Sequence, residues 1–135
     1  MSGLTSCPLA GPQNAITSLA LPVQIVSSPI SLAELQRLAE PYDGDFVKAV
    51  IDVQREVMAI GGDLHADEET VLLESGGPRR DLWGIKLYGG RPTSEFVEFD
   101  SMINVRPAQG NRSRGVEDPE VRRQIARIVE RLVAR

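Results

Sequence analysis

The stretch FVKAVIDVQREVMAIGG, residues 46–62, decides the fold. Its first half alternates between apolar and polar positions, with Lys48 and Asp52 on the polar side, which is the period-two pattern of a strand. Polar residues 54–56 then separate it from a second apolar run, so the stretch predicts a β-hairpin. A single helix over residues 46–60 is the alternative, and it buries Lys48 or Asp52 less comfortably and needs Gly61 and Gly62 as its cap. The apolar side of the first strand comprises Val47, Ala49, Ile51 and Val53.

The segment before the hairpin, SPISLAELQRLAEP (residues 28–41), predicts a helix. Ser31 and Glu34 match the capping box, in which each side chain satisfies a free backbone N–H of the first turn. Pro41 ends the helix because it cannot continue the hydrogen-bond ladder. The predicted apolar stripe is Leu32, Leu35, Leu38 and Ala39.

The segments after the hairpin predict a helix, two strands and a last helix. ADEETVLLESGG (residues 66–77) places acids at a helix start, where they complement the helix dipole. LWGIKLY (residues 82–88) and FVEFDSMINVRP (residues 96–107) alternate like strands. Asp118 and Pro119 then open a helix as N-cap and first helical residue. The predicted apolar stripe of this last helix is Val121, Ile125, Ile128, Val129, Leu132 and Val133. The inward positions predicted for the long strand are Val97, Phe99, Ser101, Ile103 and Val105.

With a short strand at residues 23–26, the element order becomes β-α-β-β-α-β-β-α. This order predicts an α+β domain, with a mixed or antiparallel sheet of about five strands and helices packed mainly on one face. We expect one domain over residues 21–135, after a disordered extension over residues 1–20. Because the only cysteine, Cys7, cannot form an internal disulfide and no signal-peptide core is visible, the sequence favours a soluble, cytoplasmic protein.

GGDLHADEE, residues 61–69, holds the only histidine of the chain among four acidic residues. On an extended segment, Asp63, His65 and Asp67 would point to the same side and suggest a site for a divalent cation such as Mg²⁺ or Ca²⁺. Alternate residues on a strand are about 6.6 Å apart, so two of the three can converge on an ion more easily than all three. The alternative is that the acids complement a helix start and His65 hydrogen-bonds a neighbour.

RPAQGNRSRG, residues 106–115, is the second candidate site. Arg106, Asn111 and Arg112 offer donors for a carboxylate or phosphate. The alternative is that these arginines pair with the acidic part of the chain, since residues 106–135 carry a net +4 and the rest −8. If the two loops meet, a polar pocket results, with His65 and Asp67 facing the arginine loop.

Three functional hypotheses follow. The first is binding of a polar or anionic small molecule, or a divalent cation, between the 61–69 turn and the 106–115 loop. The second is interaction with an acidic protein or with a second copy, through Arg123, Arg127 and Arg131 on the last helix. The third is a hydrolase using His65 as general base. Nucleic-acid binding is disfavoured by the net charge of −4 and the scarcity of lysines and aromatics, and no apolar run approaches a membrane span.

Three stretches together are similar to a known family. They are FVKAVIDVQREVMAIGG, GGDLHADEETVLLESGGPRRDLWGIKLY and FVEFDSMINVRPAQGNRSRGVEDPEVRRQI. In combination they resemble short prokaryotic proteins grouped as domain of unknown function 5674, over roughly residues 27–134. The resemblance implies a compact prokaryotic domain and assigns no catalytic residues.

Overall fold

The structure is a computed structural model that describes residues 23–42 and 44–134. The extension predicted over residues 1–20, with Cys7, lies outside the described residues. In chain order the elements are β1 (Gln24–Val26), β2 (Ile30–Ser31), α1 (Leu32–Ala39), β3 (Val47–Asp52), β4 (Val57–Ile60), α2 (His65–Glu74), β5 (Leu82–Leu87), β6 (Val97–Glu98), α3 (Pro119–Leu132) and β7 (Val133–Ala134). Five short 3₁₀ turns lie between them, at Glu40–Tyr42, Arg79–Asp81, Thr93–Glu95, Met102–Asn104 and Pro107–Gln109.

The main sheet has five antiparallel strands in the order β1-β4-β3-β5-β6. In its central register Val50 lies opposite both Ala59 and Gly84. A second small sheet pairs β2 with β7 in parallel, and so joins the start of α1 to the end of α3. The predicted α+β class and the predicted order of the larger elements are confirmed.

The predicted hairpin forms β3 and β4. Asp52 closes its turn, because its Oδ1 accepts hydrogen bonds from the backbone N–H groups of Gln54 (3.0 Å) and Arg55 (2.9 Å). Asp52 lies on the opposite side of β3 from Ala49 and Ile51, as the alternation predicts, but it is not a surface residue. Its side chain is fully buried and its Oδ2 accepts from Arg55 Nε at 2.7 Å. Arg55 in turn donates to Ser75 O and Leu72 O at the end of α2, so the turn and this helix are locked together.

One face of the sheet, called here the first face, carries the larger core. Helices α1 and α3 pack on it with their predicted apolar stripes. Both predicted N-caps are confirmed, because Ser31 Oγ accepts from Glu34 N at 3.1 Å and Asp118 Oδ1 accepts from Glu120 N at 2.9 Å. The Glu34 carboxylate of the predicted capping box accepts from Arg37 Nε at 3.2 Å instead. The fully buried residues of this first-face core include Leu35, Ala49, Ile51, Met58, Ile60, Ile85, Leu87, Ile125 and Leu132.

The opposite face, called here the second face, is covered by α2. Its apolar cluster is small and consists of Val50, Ala59, Leu72 and Leu82, with a few partly buried neighbours. The prediction of helices mainly on one face therefore holds for α1 and α3, whereas α2 lies on the other side. This arrangement explains why the central strand β3 is buried on both of its faces.

The long strand predicted over residues 96–107 is wrong beyond Glu98. Strand β6 pairs with β5 only at Glu98↔Lys86 and Val97↔Leu87. The chain then turns at Ser101, whose Oγ accepts from Ile103 N at 3.2 Å and caps the 3₁₀ turn Met102–Asn104. The alternating pattern does not distinguish a strand from a segment that packs its side chains against the sheet and makes no backbone hydrogen bonds to it as a strand would.

Candidate functional site

The side of α2 that faces the sheet is largely polar. The buried residues of this helix are His65, Glu68, Glu69 and Leu72. They follow the i, i+3, i+4, i+7 spacing that places side chains on one face of a helix. The extended segment expected for Asp63, His65 and Asp67 is not formed, because α2 begins at His65. The sequence predicted that acids would complement this helix start, and the structure buries two of them.

His65 is the best-defined polar group of this face. Its Nε2 lies 2.7 Å from Ile85 O of β5. Because a carbonyl only accepts, Nε2 carries the proton and Nδ1 is left as the ring's acceptor. Burial lowers the pKa of His65 below its usual 6.5, and the charges of Lys48 and Lys86 lower it further, so the ring is neutral near pH 7.

Lys48 and Lys86, called here the lysine pair, stand directly opposite each other on β3 and β5. They are the only lysines among the 15 Lys and Arg residues of the chain. Lys48 is two residues from Val50 on β3, and Lys86 is two residues from Gly84 on β5. Because side chains two residues apart on a strand point to the same face, both lysines lie on the second face, beside α2. Like charges at cross-strand positions destabilise a sheet. Their juxtaposition therefore concentrates positive charge next to His65.

Each lysine has one acceptor of its own. Lys48 Nζ donates to the backbone carbonyl of Asp63 at 2.8 Å, and Lys86 Nζ donates to Asp100 Oδ2 at 3.1 Å. Asp100 also accepts from Arg114 Nε at 2.6 Å. The hydrogen bond from Arg114, reinforced by Lys86, lowers the pKa of Asp100, so this carboxylate stays ionised.

Sequence reasoning missed the lysine pair, Asp100 and Arg114 as one group. A signal was present, because Lys48 and Lys86 both fall on the polar side of predicted strands in a chain that otherwise uses arginine. The pairing of those two strands is a long-range contact, however, and the sequence pattern alone does not give its register.

Glu68 is a fully buried carboxyl group in the middle of the polar face of α2. Its Oε2 accepts from Gly62 N at 3.0 Å, and its Oε1 has no hydrogen-bond partner among the described residues. Burial raises the pKa of Glu68 to about 9, so the group is protonated at neutral pH. A Cβ at Gly62 would lie 3.0 Å from Glu68 Cγ, which shows how closely the turn before α2 packs on this side chain.

Asn104 bonds through its side chain to the backbone of β5, at the edge of that strand that does not face β3. Its Oδ1 accepts from Gly84 N at 2.8 Å and its Nδ2 donates to Gly84 O at 3.0 Å, as a neighbouring strand would. A Cβ at Gly84 would lie 2.6 Å from Ser101 Oγ and 3.2 Å from His65 Cδ2. Only glycine therefore lets the segment around Ser101 approach the sheet beside the imidazole.

Arg106 of the predicted arginine loop uses its guanidinium for hydrogen bonds within the chain. Its guanidinium donates to Ile103 O at 2.9 Å, to Arg79 O at 2.8 Å and to Leu82 O. Its Cζ lies 4.6 Å from the centroid of the Trp83 ring, and burial lowers its pKa. These contacts fasten the loop to the end of β5.

Asn111 also organises the loop. Its Nδ2 donates to Asn104 O and Gly115 O, each at 2.8 Å, and its Oδ1 accepts from Glu117 N. Arg112 is exposed, and its backbone N–H donates to Glu117 Oε2 at 2.8 Å.

The two predicted loops are attached to β5 at different residues. Arg106 and His65 bond to the carbonyls of Leu82 and Ile85, which lie about 10 Å apart along β5. In the described part of the chain, no three His, Cys, Asp or Glu side chains are close enough together to hold a metal ion. Ligand binding by the predicted site residues stays a prediction, and these residues are His65, Asp67, Arg106, Asn111 and Arg112.

Three arginines of α3, called here the arginine ridge, are exposed, and they are Arg123, Arg127 and Arg131. Arg123 NH2 donates to Glu120 Oε1 at 2.7 Å, one turn earlier on the same helix. Arg131 NH2 donates to Glu56 O at 2.7 Å, and so ties α3 to the hairpin turn. Two of the three arginines thus have partners within the chain, and the interaction role of the ridge stays a prediction.

Fold and site together define a small α+β domain in which one sheet face is apolar and the other carries a polar cluster. The chain matches, over residues 24–132, the family described as Protein of unknown function (DUF5674), and it belongs to that family. No curated protein and no solved structure matches it significantly. No helix in residues 23–42 and 44–134 has the length and apolar character needed to cross a membrane.

Proposed function

We propose that this domain binds a small anionic molecule at the lysine pair, beside His65. The observation that carries the proposal is the placement of the only two lysines of the chain at directly opposed positions of β3 and β5. A pair of like charges costs stability, and a bound anion removes that cost. Lysine ammonium groups suit a phosphate or carboxylate as mobile point charges.

The charge balance of the cluster supports an anionic ligand. Lys48 donates to a backbone carbonyl, which carries no net charge. Lys86 and Arg114 share the single carboxylate of Asp100. Lys86 and Arg114 thus converge on Asp100, with Glu98 opposite Lys86 on β6 as a second carboxylate, and a ligand phosphate or carboxylate would pair with the positive charge that Lys48 adds.

His65 gives the proposed site a neutral acceptor. The bond from Nε2 to Ile85 O fixes the orientation of the ring, and Nδ1 accepts from a ligand hydroxyl or from a protonated phosphate oxygen. The proposal keeps the anionic ligand and the 61–69 turn of the first sequence hypothesis. It replaces the donors Arg106 and Asn111, which are used internally, by Lys48 and Lys86.

Calorimetric titration with inorganic phosphate and pyrophosphate at low ionic strength tests the proposal. Replacing Lys48 or Lys86 by Gln removes one charge-assisted hydrogen bond and is expected to weaken binding about tenfold. Arg37→Gln on α1 is the matched control, since this exposed residue lies on the helix that covers the first face. Binding that is unchanged in both lysine variants, or lost equally in the control, would refute the proposal.

A further inference from the structure

A cavity of about 290 Å³ lies between the middle of α2, the turn before β5 and the segment 102–106. Its lining residues are Glu69, Arg79, Met102, Ile103, Val105 and Arg106. The volume is at the lower limit of the roughly 300–1,000 Å³ that ligand pockets occupy, so it suits a molecule of amino-acid size better than a nucleotide or a peptide.

Glu69 supplies the acceptor of this cavity. Its side chain is only 10% exposed, and its nearest cation is Arg79, whose Nε lies 3.6 Å from Glu69 Oε2. That distance is an ion pair and exceeds a hydrogen bond. Arg106 also faces Glu69, but its guanidinium donates to backbone carbonyls instead. A buried carboxylate of this kind gains from a ligand that brings its own N–H donors.

Arg79 supplies a movable donor at the mouth of the cavity. Its side chain is 65% exposed, so the guanidinium is able to turn from Glu69 toward a ligand carboxylate. Glu69 with the two arginines leaves a net positive charge, which disfavours a ligand that is only cationic. A molecule that carries both an ammonium and a carboxylate matches the two ends.

Apolar side chains form the outer wall. Met102 is 64% exposed and Val105 is 36% exposed, and both are among the few large apolar side chains that the described residues leave open to solvent. An exposed methionine is a flexible contact surface for an apolar group. The wall is held in place by Arg106 and Gln109, which donate to Arg79 O and Arg80 O, each at 2.8 Å.

We infer that this cavity binds a free α-amino acid with an apolar side chain. The ammonium group lies on Glu69, the carboxylate on Arg79, and the side chain against Met102 and Val105. The site is separate from the lysine pair and takes a different ligand, so it extends the proposed function to a second binding site on the same helix.

Methyl NMR of the full chain labelled at its methionine methyl groups, titrated with L-leucine, tests the inference. The Met102 signal is expected to shift and saturate. The Met58 signal is the internal reference and should stay in place, because Met58 is fully buried in the first-face core. N-acetyl-L-leucine and L-leucinamide each lack one charge and are expected to bind about tenfold more weakly.

Two variants complete the test. Glu69→Gln and Arg79→Gln are each expected to weaken leucine binding about tenfold and to leave phosphate binding unchanged, whereas Lys48→Gln should do the opposite. If Glu69→Gln disturbs folding, the Met58 signal will change. Leucine binding by Arg79→Gln, a change at an exposed side chain, then tests the inference. No saturable shift of Met102 with leucine, or the same affinity in Arg79→Gln, would overturn the inference.

Discussion

The two faces of the main sheet differ in chemistry although the same strands build both. The first face packs α1 and α3 through a continuous apolar core, in which α3 contributes Ile125, Ile128, Val129 and Leu132. The second face packs α2 through His65, Glu68 and Glu69, with Leu72 as the apolar contact. Apolar burial is the main source of folding free energy, and buried polar groups reduce it unless they are paired.

The comparison indicates a division of roles. The first face contributes most of the stability of the domain. The second face keeps a buried imidazole, a protonated carboxyl group and the lysine pair at the expense of stability, as is common where a protein binds a ligand.

The largest effect is expected on the first face. Ile125→Ala removes a fully buried side chain of α3 and should lower the free energy of unfolding by about 4 kcal/mol, through lost burial and the cavity left behind. Urea unfolding measures this change. Arg123→Ala, on the exposed side of the same helix, should change it by less than about 0.5 kcal/mol. A loss below about 1 kcal/mol for Ile125→Ala would contradict the role given to this face.

A smaller loss is expected at the polar edge of the second face. Asn104→Ala leaves the N–H and C=O of Gly84 without their partners and should destabilise by about 2–3 kcal/mol. Gln109→Ala removes two exposed hydrogen bonds, one to Arg80 O and one from Arg106, and serves as control. Equal unfolding midpoints for the two variants in urea would show that Asn104 does not close the sheet edge.

The smallest of the three effects depends on pH. Because the pKa of Glu68 rises from 4.5 to about 9 on folding, the folded state holds this proton more tightly, and wild-type stability should fall as pH rises through that window. Glu68→Gln imitates the protonated group and removes the fall. The free energy of unfolding of the variant, relative to that of the wild type, should therefore rise by about 2 kcal/mol between pH 6 and 7.5.

Thermal or urea unfolding at several pH values measures this difference. Glu74→Gln is the matched control, since Glu74 is exposed on the same helix and should show no such trend. A gap between Glu68→Gln and the wild type that stays constant with pH would mean that Glu68 is ionised in the folded protein.

The same division explains what the sequence predicts well. The first face follows simple periodicity, so the apolar stripes of α1 and α3 and their caps at Ser31 and Asp118 are all predicted correctly. The hairpin is also predicted, because the alternation around Ala49 and Ile51 is local. Local patterns carry this information because helices and hairpins form from neighbouring residues.

The second face breaks those patterns. The sequence predicts Glu68 as an acid at a helix start and Asp52 on the polar side of a strand. Both side chains are fully buried in the structure. The long strand fails where the side chain of Asn104 takes the place of a neighbouring strand. Each of these errors depends on a tertiary contact between distant residues, which periodicity does not contain.

The most direct test of the polar second face is the pKa of His65, measured from the ring signals in NMR. As the only histidine of the chain, it gives an unambiguous signal. We predict a pKa below 6.5 in phosphate-free protein, since burial and the lysine pair disfavour the imidazolium, and a rise when inorganic phosphate binds. Combining Lys48→Gln with Lys86→Gln should abolish that rise. A pKa at or above 6.5 that phosphate does not move would contradict the account.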